Sequence, residues 1–196
     1  MSTTTMPKQQ SRADLAVLVE LLQTIALVKG EVTLSSGAKA QYLVDAKRVV
    51  MRPDGFRVIG NLVSEQIAAC GATAVGGLTL GADPIAYSAL AAGADANVFV
   101  VRKQTKEHGL QRRIEGPLLA QSDRCLIVDD VVTTGTSTIK AIRAIQEEGL
   151  EICGVLAVLD RLAGGARSIE EAAGAPFVAL TTIDDIYPGR PDREVS

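Results

Sequence analysis

The amino-acid sequence predicts an α/β fold in which a parallel sheet is flanked by helices on both faces. Short apolar runs rich in Val, Ile and Leu recur after residue 70, and segments with helical spacing lie between most of them. Continuous apolar runs are typical of strands buried on both faces, and their alternation with helices is typical of a parallel sheet. With 196 residues, of which 47% are hydrophobic, the chain is long enough for one substantial domain. We expect that domain at residues 11–196, after a disordered tail at residues 1–10.

The first fifty residues show a different pattern from the rest of the chain. Apolar residues at helical spacing favour a helix over residues 14–27, and residues 31–45 are typical of a hairpin that turns near Gly37. Residues 11–50 therefore stand outside the alternation of strands and helices. We expect them to form, with the C-terminal tail, a small hood over the functional site.

From residue 53 onward the pattern is one of alternating helices and strands. Pro53 is placed to begin a helix that runs to Cys70, with Gly71 as its stop. Further helices are expected around residues 85–92 and 138–145. Strands are expected near residues 74–76, 97–101, 125–128, 152–159 and 177–181. Ligands bind at the carboxyl ends of strands in sheets of this class, so the polar residues that follow these strands are candidates for function.

The most informative of these polar segments follows the strand expected at residues 125–128. It contains two carboxylates, then hydroxyl residues around a glycine, and then a helix start: Asp129, Asp130, Val131, Val132, Thr133, Thr134, Gly135, Thr136 and Ser137. A turn of small residues leaves backbone N–H groups free, and the helix dipole adds partial positive charge, so the turn favours a phosphate. The carboxylates would repel a bare phosphate and are expected to face sugar hydroxyls or a cation. The segment is typical of a site for an activated sugar phosphate; the alternative is an ordinary Asp-rich turn with a helix cap and no ligand.

Gly135 is expected to keep this turn open, so that a larger side chain would block the phosphate and leave the fold largely intact. Two other classes of nucleotide site are excluded because the chain lacks their motifs. The chain contains no G-x-x-x-x-G-K-[ST] and no G-x-G-x-x-G between a strand and a helix.

A second polar segment follows the strand expected at residues 97–101. It places four basic or titratable residues in seven positions: Arg102, Lys103, Lys106 and His108. Arginine forks across phosphate oxygens and lysine acts as a point charge, so the cluster fits a diphosphate. The alternative is a solvated basic loop.

Two further segments follow predicted strands. Arg161 comes directly after the apolar run that ends at Leu159, where it could bind a ligand or simply pair with Asp160. The glycines of residues 75–84 allow a close backbone approach to a ligand, or else form only a turn before the next helix.

Together these residues resemble the type I phosphoribosyltransferases. Residues 126–137 are similar to the phosphoribosyl pyrophosphate signature of that family, and residues 102–109 resemble the mobile catalytic loop of its orotate phosphoribosyltransferases. The resemblance extends over roughly residues 11–186. It implies the type I phosphoribosyltransferase fold and transfer of the phosphoribosyl group from phosphoribosyl pyrophosphate to orotate, a step of pyrimidine biosynthesis. The alternatives are transfer to a purine base, or a non-catalytic regulator that binds phosphoribosyl pyrophosphate.

The resemblance also implies roles for individual residues. Asp129 and Asp130 would contact the ribose hydroxyls, and the loop after them would hold the 5-phosphate. Lys106 would stabilise the departing pyrophosphate, and Thr133 and Arg161 would bind orotate. Mg²⁺ is expected as cofactor, held mainly by substrate and water and not directly by the protein. Because the basic loop of this family closes over the neighbouring subunit's site, a homodimer with shared active sites is expected.

The chain departs from the family at two positions where a lysine is common. Ser35 stands in the early Thr-Leu-x-Ser-Gly segment, and Leu80 stands in the glycine-rich segment. Two expected cations are therefore absent, which leaves more of the diphosphate contact to the basic loop.

Composition narrows the class of protein. The formal net charge of −3 provides no basic face for nucleic acid. The three cysteines have no C-x-x-C spacing, and a single histidine argues against a histidine-based zinc site. The sequence has no signal-like segment and no apolar run near the roughly 18 residues of a membrane span, so we expect a cytoplasmic protein without membrane contact.

Overall fold

A six-stranded sheet lies at the centre of the computed structural model, which describes residues 7–33, 37, 39–103 and 113–193. The helices are α1 (Pro7–Leu21), α2 (Lys47–Val50), α3 (Pro53–Cys70), α4 (Asp83–Ala91), α5 (Thr136–Glu147), α6 (Gly165–Ala173) and α7 (Ile183–Ile186), with a π-helical turn at Leu22–Ala26. The strands are β1 (Leu27–Thr33), β2 (Lys39–Val44), β3 (Ala74–Leu78), β4 (Asn97–Val101), β5 (Ile114–Glu115), β6 (Arg124–Val132), β7 (Glu151–Asp160) and β8 (Phe177–Thr182). No helix in these ranges is long and apolar enough to cross a membrane.

The predicted α/β fold is confirmed. The order of the sheet is β5-β4-β3-β6-β7-β8, and every pairing in it is parallel except that of β5 with β4. The two faces of the sheet carry separate apolar clusters. One packs beneath α1, α3 and α4, and the other packs beneath α5 and α6. The carboxyl ends of β3, β4, β6 and β7 therefore lie along one edge of the sheet, where the candidate segments begin.

The N-terminal segment begins its helix earlier than its pattern indicates. Helix α1 starts at Pro7, so it includes the last four residues of the segment expected to be a disordered tail. It ends at Leu21, and the hairpin strands follow from Leu27. Strands β1 and β2 pair antiparallel as expected, with a bulge between Lys29 and Val32. Proline is tolerated at the first turn of a helix because its missing N–H has no intrahelical acceptor there, which is why Pro7 does not prevent the earlier start.

The hairpin and the C-terminal segment pack against each other. Tyr42 and Val44 of β2 share one apolar cluster with Ile183 and Ile186 of α7. In the π-helical turn before the hairpin, the Gln23 amide donates to the Asp185 carbonyl at 2.8 Å. The two segments that were expected to form the hood are therefore in contact with each other.

Candidate active site

Two buried carboxylates lie inside β6 and not after it. Asp129 and Asp130 are only 5% and 8% exposed. The expectation that the strand ends before them is wrong, because Val131 and Val132 still pair with Leu159 and Asp160 of β7. Strand β6 extends four residues beyond the apolar run that predicted it. The carboxylates are therefore fixed by a strand backbone and not by a turn.

Asp129 lies among neutral partners. Its Oδ2 accepts a hydrogen bond from the Thr138 hydroxyl at 2.7 Å, and its Oδ1 accepts from the backbone N–H of Asp130 at 3.0 Å. Burial raises the pKa of Asp129 to about 7, and the neighbouring Asp130 charge adds to the increase, while the Thr138 hydrogen bond opposes it. The two forms of this carboxyl are thus close in free energy near neutral pH.

Asp130, by contrast, has a cationic side chain as its partner, which the sequence pattern did not predict. Lys47 Nζ lies 2.9 Å from Asp130 Oδ2 and 3.5 Å from Asp45 Oδ1. Burial alone would lower the pKa of Lys47, but the hydrogen bond and charge of Asp130, with Asp45, outweigh burial and raise it. Lys47 is in a helix of four residues, which is too short to show a period. One sequence feature could have pointed to Lys47, namely its position directly after the predicted hairpin.

The glycine-rich segment after β3 approaches this carboxylate pair closely. A Cβ on Gly81 would lie 2.5 Å from Asp130 Oδ1 and 3.3 Å from Asp129 Oδ1. No larger residue fits there without displacing a carboxylate. The structure thus brings the glycine-rich segment and the two acids together. The backbone of this segment, which was expected to approach a ligand closely, approaches the two carboxylate side chains.

The turn after β6 has the features of an anion site. Gly135 has φ 79° and precedes α5, whose start has no side-chain cap. The first N–H groups of a helix have no intrahelical acceptor, so this end is free to donate. The hydroxyl residues around it are exposed: Thr133, Thr134, Thr136 and Ser137.

Gly135 itself faces the interior of the protein. A Cβ there would lie 2.9 Å from Ile169 Cγ1 and 3.2 Å from the Gly165 carbonyl oxygen, both in α6. The expectation that a larger residue at Gly135 would leave the fold largely intact is therefore wrong, and the expectation that it would block a phosphate stays a prediction. Such a residue would strain the turn and its packing against α6.

Arg161 lies directly beside this turn. Its backbone N–H donates to the Val132 carbonyl at 2.8 Å, and the N–H of Gly165 donates to the Thr133 carbonyl at 3.1 Å. The guanidinium does not pair with Asp160, which accepts from the N–H of Leu162. It contacts Tyr42 instead, donating to the tyrosine hydroxyl at 2.9 Å. The segments that follow β6 and β7 are thus tied together.

The basic segment and the glycine-rich segment share a cavity of about 590 Å³. Its lining consists of Thr79, Leu80, Val100, Arg102, Lys103 and Glu115. Arg102 forms an ion pair with Glu115 at 3.2 Å. Lys106 and His108 lie outside the described residues, so their expected roles stay predictions.

Comparison with known proteins places this chain in a family. The family model for the phosphoribosyl transferase domain matches residues 73–174. Orotate phosphoribosyltransferase of Corynebacterium glutamicum is 47% identical over 178 residues, which cover 90% of this chain and 94% of the relative.

Solved structures agree with this. Orotate phosphoribosyltransferase of Mycobacterium tuberculosis, in complex with Fe(III) dicitrate, superposes with a TM-score of 0.79 at 42% identity, covering 88% of this chain and 98% of that one. The same enzyme in complex with phosphoribosyl pyrophosphate gives 0.75 at 38% identity, with the same coverage. The chain belongs to the phosphoribosyltransferase family and, within it, to the orotate phosphoribosyltransferases.

Proposed function

We propose that this protein transfers the 5-phosphoribosyl group from phosphoribosyl pyrophosphate to orotate, giving orotidine 5-phosphate and pyrophosphate. The observation that carries the proposal is the placement of Arg161. Its backbone is bonded to Val132, at the start of the hydroxyl-rich turn, and its guanidinium has donors for a carboxylate. Among common nucleobase substrates, orotate is the one that carries a carboxylate. The substrate of the relatives named above supports the same choice.

The phosphoribosyl pyrophosphate site combines three segments of this edge of the sheet. The segment from Val131 to Ser137, which is the end of β6 and the turn after it, binds the 5-phosphate through backbone N–H groups and hydroxyls. Asp129 and Asp130 face the ribose hydroxyls. Arg102 and Lys103, whose side chains line the cavity, bind the diphosphate, together with Lys106 and His108. Thr133 completes the orotate contact beside Arg161.

Lys47 supplies one of the two cations missing at Ser35 and Leu80. Its ammonium is bonded to Asp130, and the Asp130 carboxylate lies against Gly81 of the glycine-rich segment. A lysine in this position adds positive charge beside the loop that approaches the diphosphate. It also fixes the position of the Asp130 carboxylate, which is to accept a hydrogen bond from a ribose hydroxyl.

We expect Mg²⁺ as the cofactor of this reaction, because the diphosphate substrate carries several negative charges. Among the described residues no group of three or more His, Cys, Asp or Glu side chains could hold a metal. The carboxylates of Asp129 and Asp130 would interact, through water, with an ion carried mainly by the substrate. When bound with the diphosphate, Mg²⁺ offsets the negative charge that grows there.

The charged residues of the proposed site match the charges that develop when the diphosphate leaves the anomeric carbon. As the bond from the anomeric carbon to the diphosphate breaks, positive charge grows on the sugar and negative charge grows on the leaving group. Carboxylates beside the ribose and cations beside the diphosphate stabilise both changes more than they stabilise the bound substrate. The ring nitrogen of orotate forms the new bond to the anomeric carbon as its N–H proton passes to solvent, and the diphosphate leaves.

A homodimer with shared sites and a cytoplasmic location are part of the same proposal. Tyr87 and Leu90 lie one turn apart on α4 and are 49% and 47% exposed, which supports an apolar contact with a second copy in a homodimer with shared sites. The three cysteines are free, as a reducing compartment would keep them, which supports the cytoplasm.

The test is a choice among bases. The purified protein is incubated with phosphoribosyl pyrophosphate, Mg²⁺ and one of orotate, uracil, adenine, hypoxanthine or guanine, and pyrophosphate release is followed. We expect release with orotate and formation of orotidine 5-phosphate. Release with a purine alone would contradict the proposal. Binding of phosphoribosyl pyrophosphate without release for any base would indicate a regulator.

A further inference from the structure

The guanidinium of Arg161 is held by a tyrosine from the hood. Its side chain is 19% exposed, and its central carbon lies 4.6 Å from the centroid of the Tyr42 ring. One terminal nitrogen donates to the Tyr42 hydroxyl at 2.9 Å. A cation over an aromatic face is attracted by the ring, and the hydrogen bond fixes its rotation about that face.

A carboxylate of the C-terminal segment continues this chain of bonds. The Tyr42 hydroxyl lies 3.1 Å and 3.0 Å from the two carboxylate oxygens of Asp192. An arginine cannot accept a hydrogen bond, and a tyrosine hydroxyl has a single proton. The direction is therefore fixed: Arg161 donates to Tyr42, and Tyr42 donates to Asp192.

Asp192 is itself positioned by the fold of its segment. Arg190 Nε lies 3.3 Å from Asp192 Oδ1, and Arg190 also pairs with Asp184. The direct distance from Asp192 Oδ2 to Arg161 is 4.0 Å, beyond a hydrogen bond. The aspartate therefore acts on Arg161 through the hydroxyl and leaves the remaining donors of the guanidinium unused.

One of these donors is already without a partner. Arg161 Nε is buried and has no acceptor among the described residues. A buried N–H of this kind is costly unless an acceptor arrives, and a substrate carboxylate is an acceptor of the right charge.

We propose that Tyr42 and Asp192 form a relay that positions Arg161 for the carboxylate of the base, and that the C-terminal segment is thereby a specificity element. This inference rests on the proposed function. Tyr42 and Asp192 are positioning residues, since they act through Arg161. The relay makes recognition of the base depend on the two ends of the chain, because β2 and the residues after α7 provide its members.

Substitution of the hydroxyl tests the relay with the ring kept in place. Tyr42→Phe should raise the KM for orotate about three- to tenfold, the effect of one hydrogen bond, with little change in kcat or in the KM for phosphoribosyl pyrophosphate. Tyr187→Phe is the matched control, because Tyr187 contacts the Tyr42 ring edge-on at 5.4 Å and is not part of the relay. An unchanged KM for orotate in Tyr42→Phe would overturn the proposal.

A pair of substitutions at Asp192 separates hydrogen bonding from charge. Asp192→Ala should raise the KM for orotate, whereas Asp192→Asn should restore most of the wild-type value, because an amide oxygen still accepts from the tyrosine. A fall in KM in Asp192→Ala would show that Asp192 competes with orotate, and equal values for the two variants would exclude a hydrogen-bond relay. Either result overturns the proposal.

A titration without substrates tests the relay independently of the proposed function. Burial, followed by the hydrogen bond to Asp192, raises the pKa of Tyr42. Ultraviolet titration, with Tyr42→Phe identifying the Tyr42 signal, should show this pKa falling in Asp192→Ala and staying closer to wild type in Asp192→Asn. If the wild type does not consume orotate, the proposed function fails, and this titration still decides whether the relay exists. No change in Asp192→Ala would refute it.

Discussion

Asp129 and Asp130 are adjacent in the chain but differ in their electrostatic partners. Asp130 faces the Lys47 ammonium at 2.9 Å, whereas Asp129 has the neutral hydroxyl of Thr138. Burial therefore dominates at Asp129 and raises its pKa to about 7. Asp130 is thus paired with an ammonium, whereas the charge of Asp129 depends on pH near neutrality, and this dependence has a consequence for stability.

The pH dependence of stability should change in Asp129→Asn. An aspartate of the unfolded chain titrates near about 4, and Asp129 in the folded chain titrates at about 7. Between these values the folded state binds more protons, so this residue lowers the free energy of unfolding as pH rises, and its penalty is complete above about 7. The variant should gain stability relative to wild type over that range, on the order of 1–4 kcal/mol.

Urea denaturation at several pH values measures this difference. Asp95→Asn, at an exposed carboxylate, is the control for loss of a charge. A constant difference between Asp129→Asn and wild type from pH 4 to 8 would contradict the account of Asp129.

Lys47 is expected to act in binding the sugar phosphate. Lys47→Ala should weaken the binding of phosphoribosyl pyrophosphate about three- to tenfold, since it removes a half-exposed charge-assisted hydrogen bond to Asp130. The KM for orotate at saturating phosphoribosyl pyrophosphate should change little. Lys39→Ala is the control, because Lys39 is an exposed lysine of the preceding hairpin and pairs with Glu31. Calorimetric binding that is unchanged in Lys47→Ala would make it only a structural partner of Asp130.

At the scale of elements, apolar runs predicted where strands lie better than where they end. Strand β4 was predicted at residues 97–101, as observed, because polar residues flank its apolar run. Strand β6 continues through Asp129 and Asp130 to Val132, because pairing with β7 outweighs the low strand preference of aspartate. A buried carboxylate in a strand cannot be recognised from a pattern that depends on apolar residues.

Short elements and distant contacts also lay beyond the sequence pattern. Helix α2 and strand β5 contain four and two residues, too few to show a period. The bond from Arg161 to Tyr42 joins residues 119 positions apart. Arg161 could be singled out because it follows a strand, but its partner could not, since nothing local relates the two.

Two glycines that precede helices allow a matched test of the turn after β6. Gly135 and Gly164 both have left-handed backbones, with φ 79° and 85°. A Cβ on Gly164 would meet no atom within 4 Å, whereas one on Gly135 would press against Ile169. Gly164→Ala should therefore cost about 1–2 kcal/mol for its backbone alone, and Gly135→Ala should cost about 1–3 kcal/mol more. Equal losses in denaturant unfolding would contradict the observed packing of the turn against α6.

At the scale of the whole molecule, the site draws on segments that are far apart in the sequence. The carboxyl ends of β3, β4, β6 and β7 supply its loops, and the hood supplies Lys47 and Tyr42. Parallel topology predicts the first set, because all parallel strands end at one edge. The sequence pattern predicts a hood over the site but not which of its side chains reach it, and Lys47 and Tyr42 emerged only from the structure.

A homodimer with shared sites predicts complementation between inactive variants. Lys106→Ala should lower kcat by orders of magnitude with a modest change in the binding of phosphoribosyl pyrophosphate, because a cation that meets the leaving group helps the transition state most. Asp129→Asn/Asp130→Asn should also be inactive. Mixing the two should restore activity, since one site of the heterodimer then has an intact loop and an intact carboxylate pair. If subunits exchange and activity does not return, Lys106 acts within its own chain.

The central claim is that Arg161 selects a base by its carboxylate. Orotate and uracil differ only in that group, so the ratio of kcat/KM for the two bases in wild type and in Arg161→Ala is the most direct measurement. We predict a strong preference for orotate in the wild type. In Arg161→Ala, kcat/KM for orotate should fall about ten- to a hundredfold, the effect of charge-assisted hydrogen bonds, with a smaller effect on the KM for phosphoribosyl pyrophosphate. Arg167→Ala, at an exposed arginine of α6, should behave as wild type. An equal loss for orotate and for phosphoribosyl pyrophosphate in Arg161→Ala would contradict the claim and make Arg161 a structural residue.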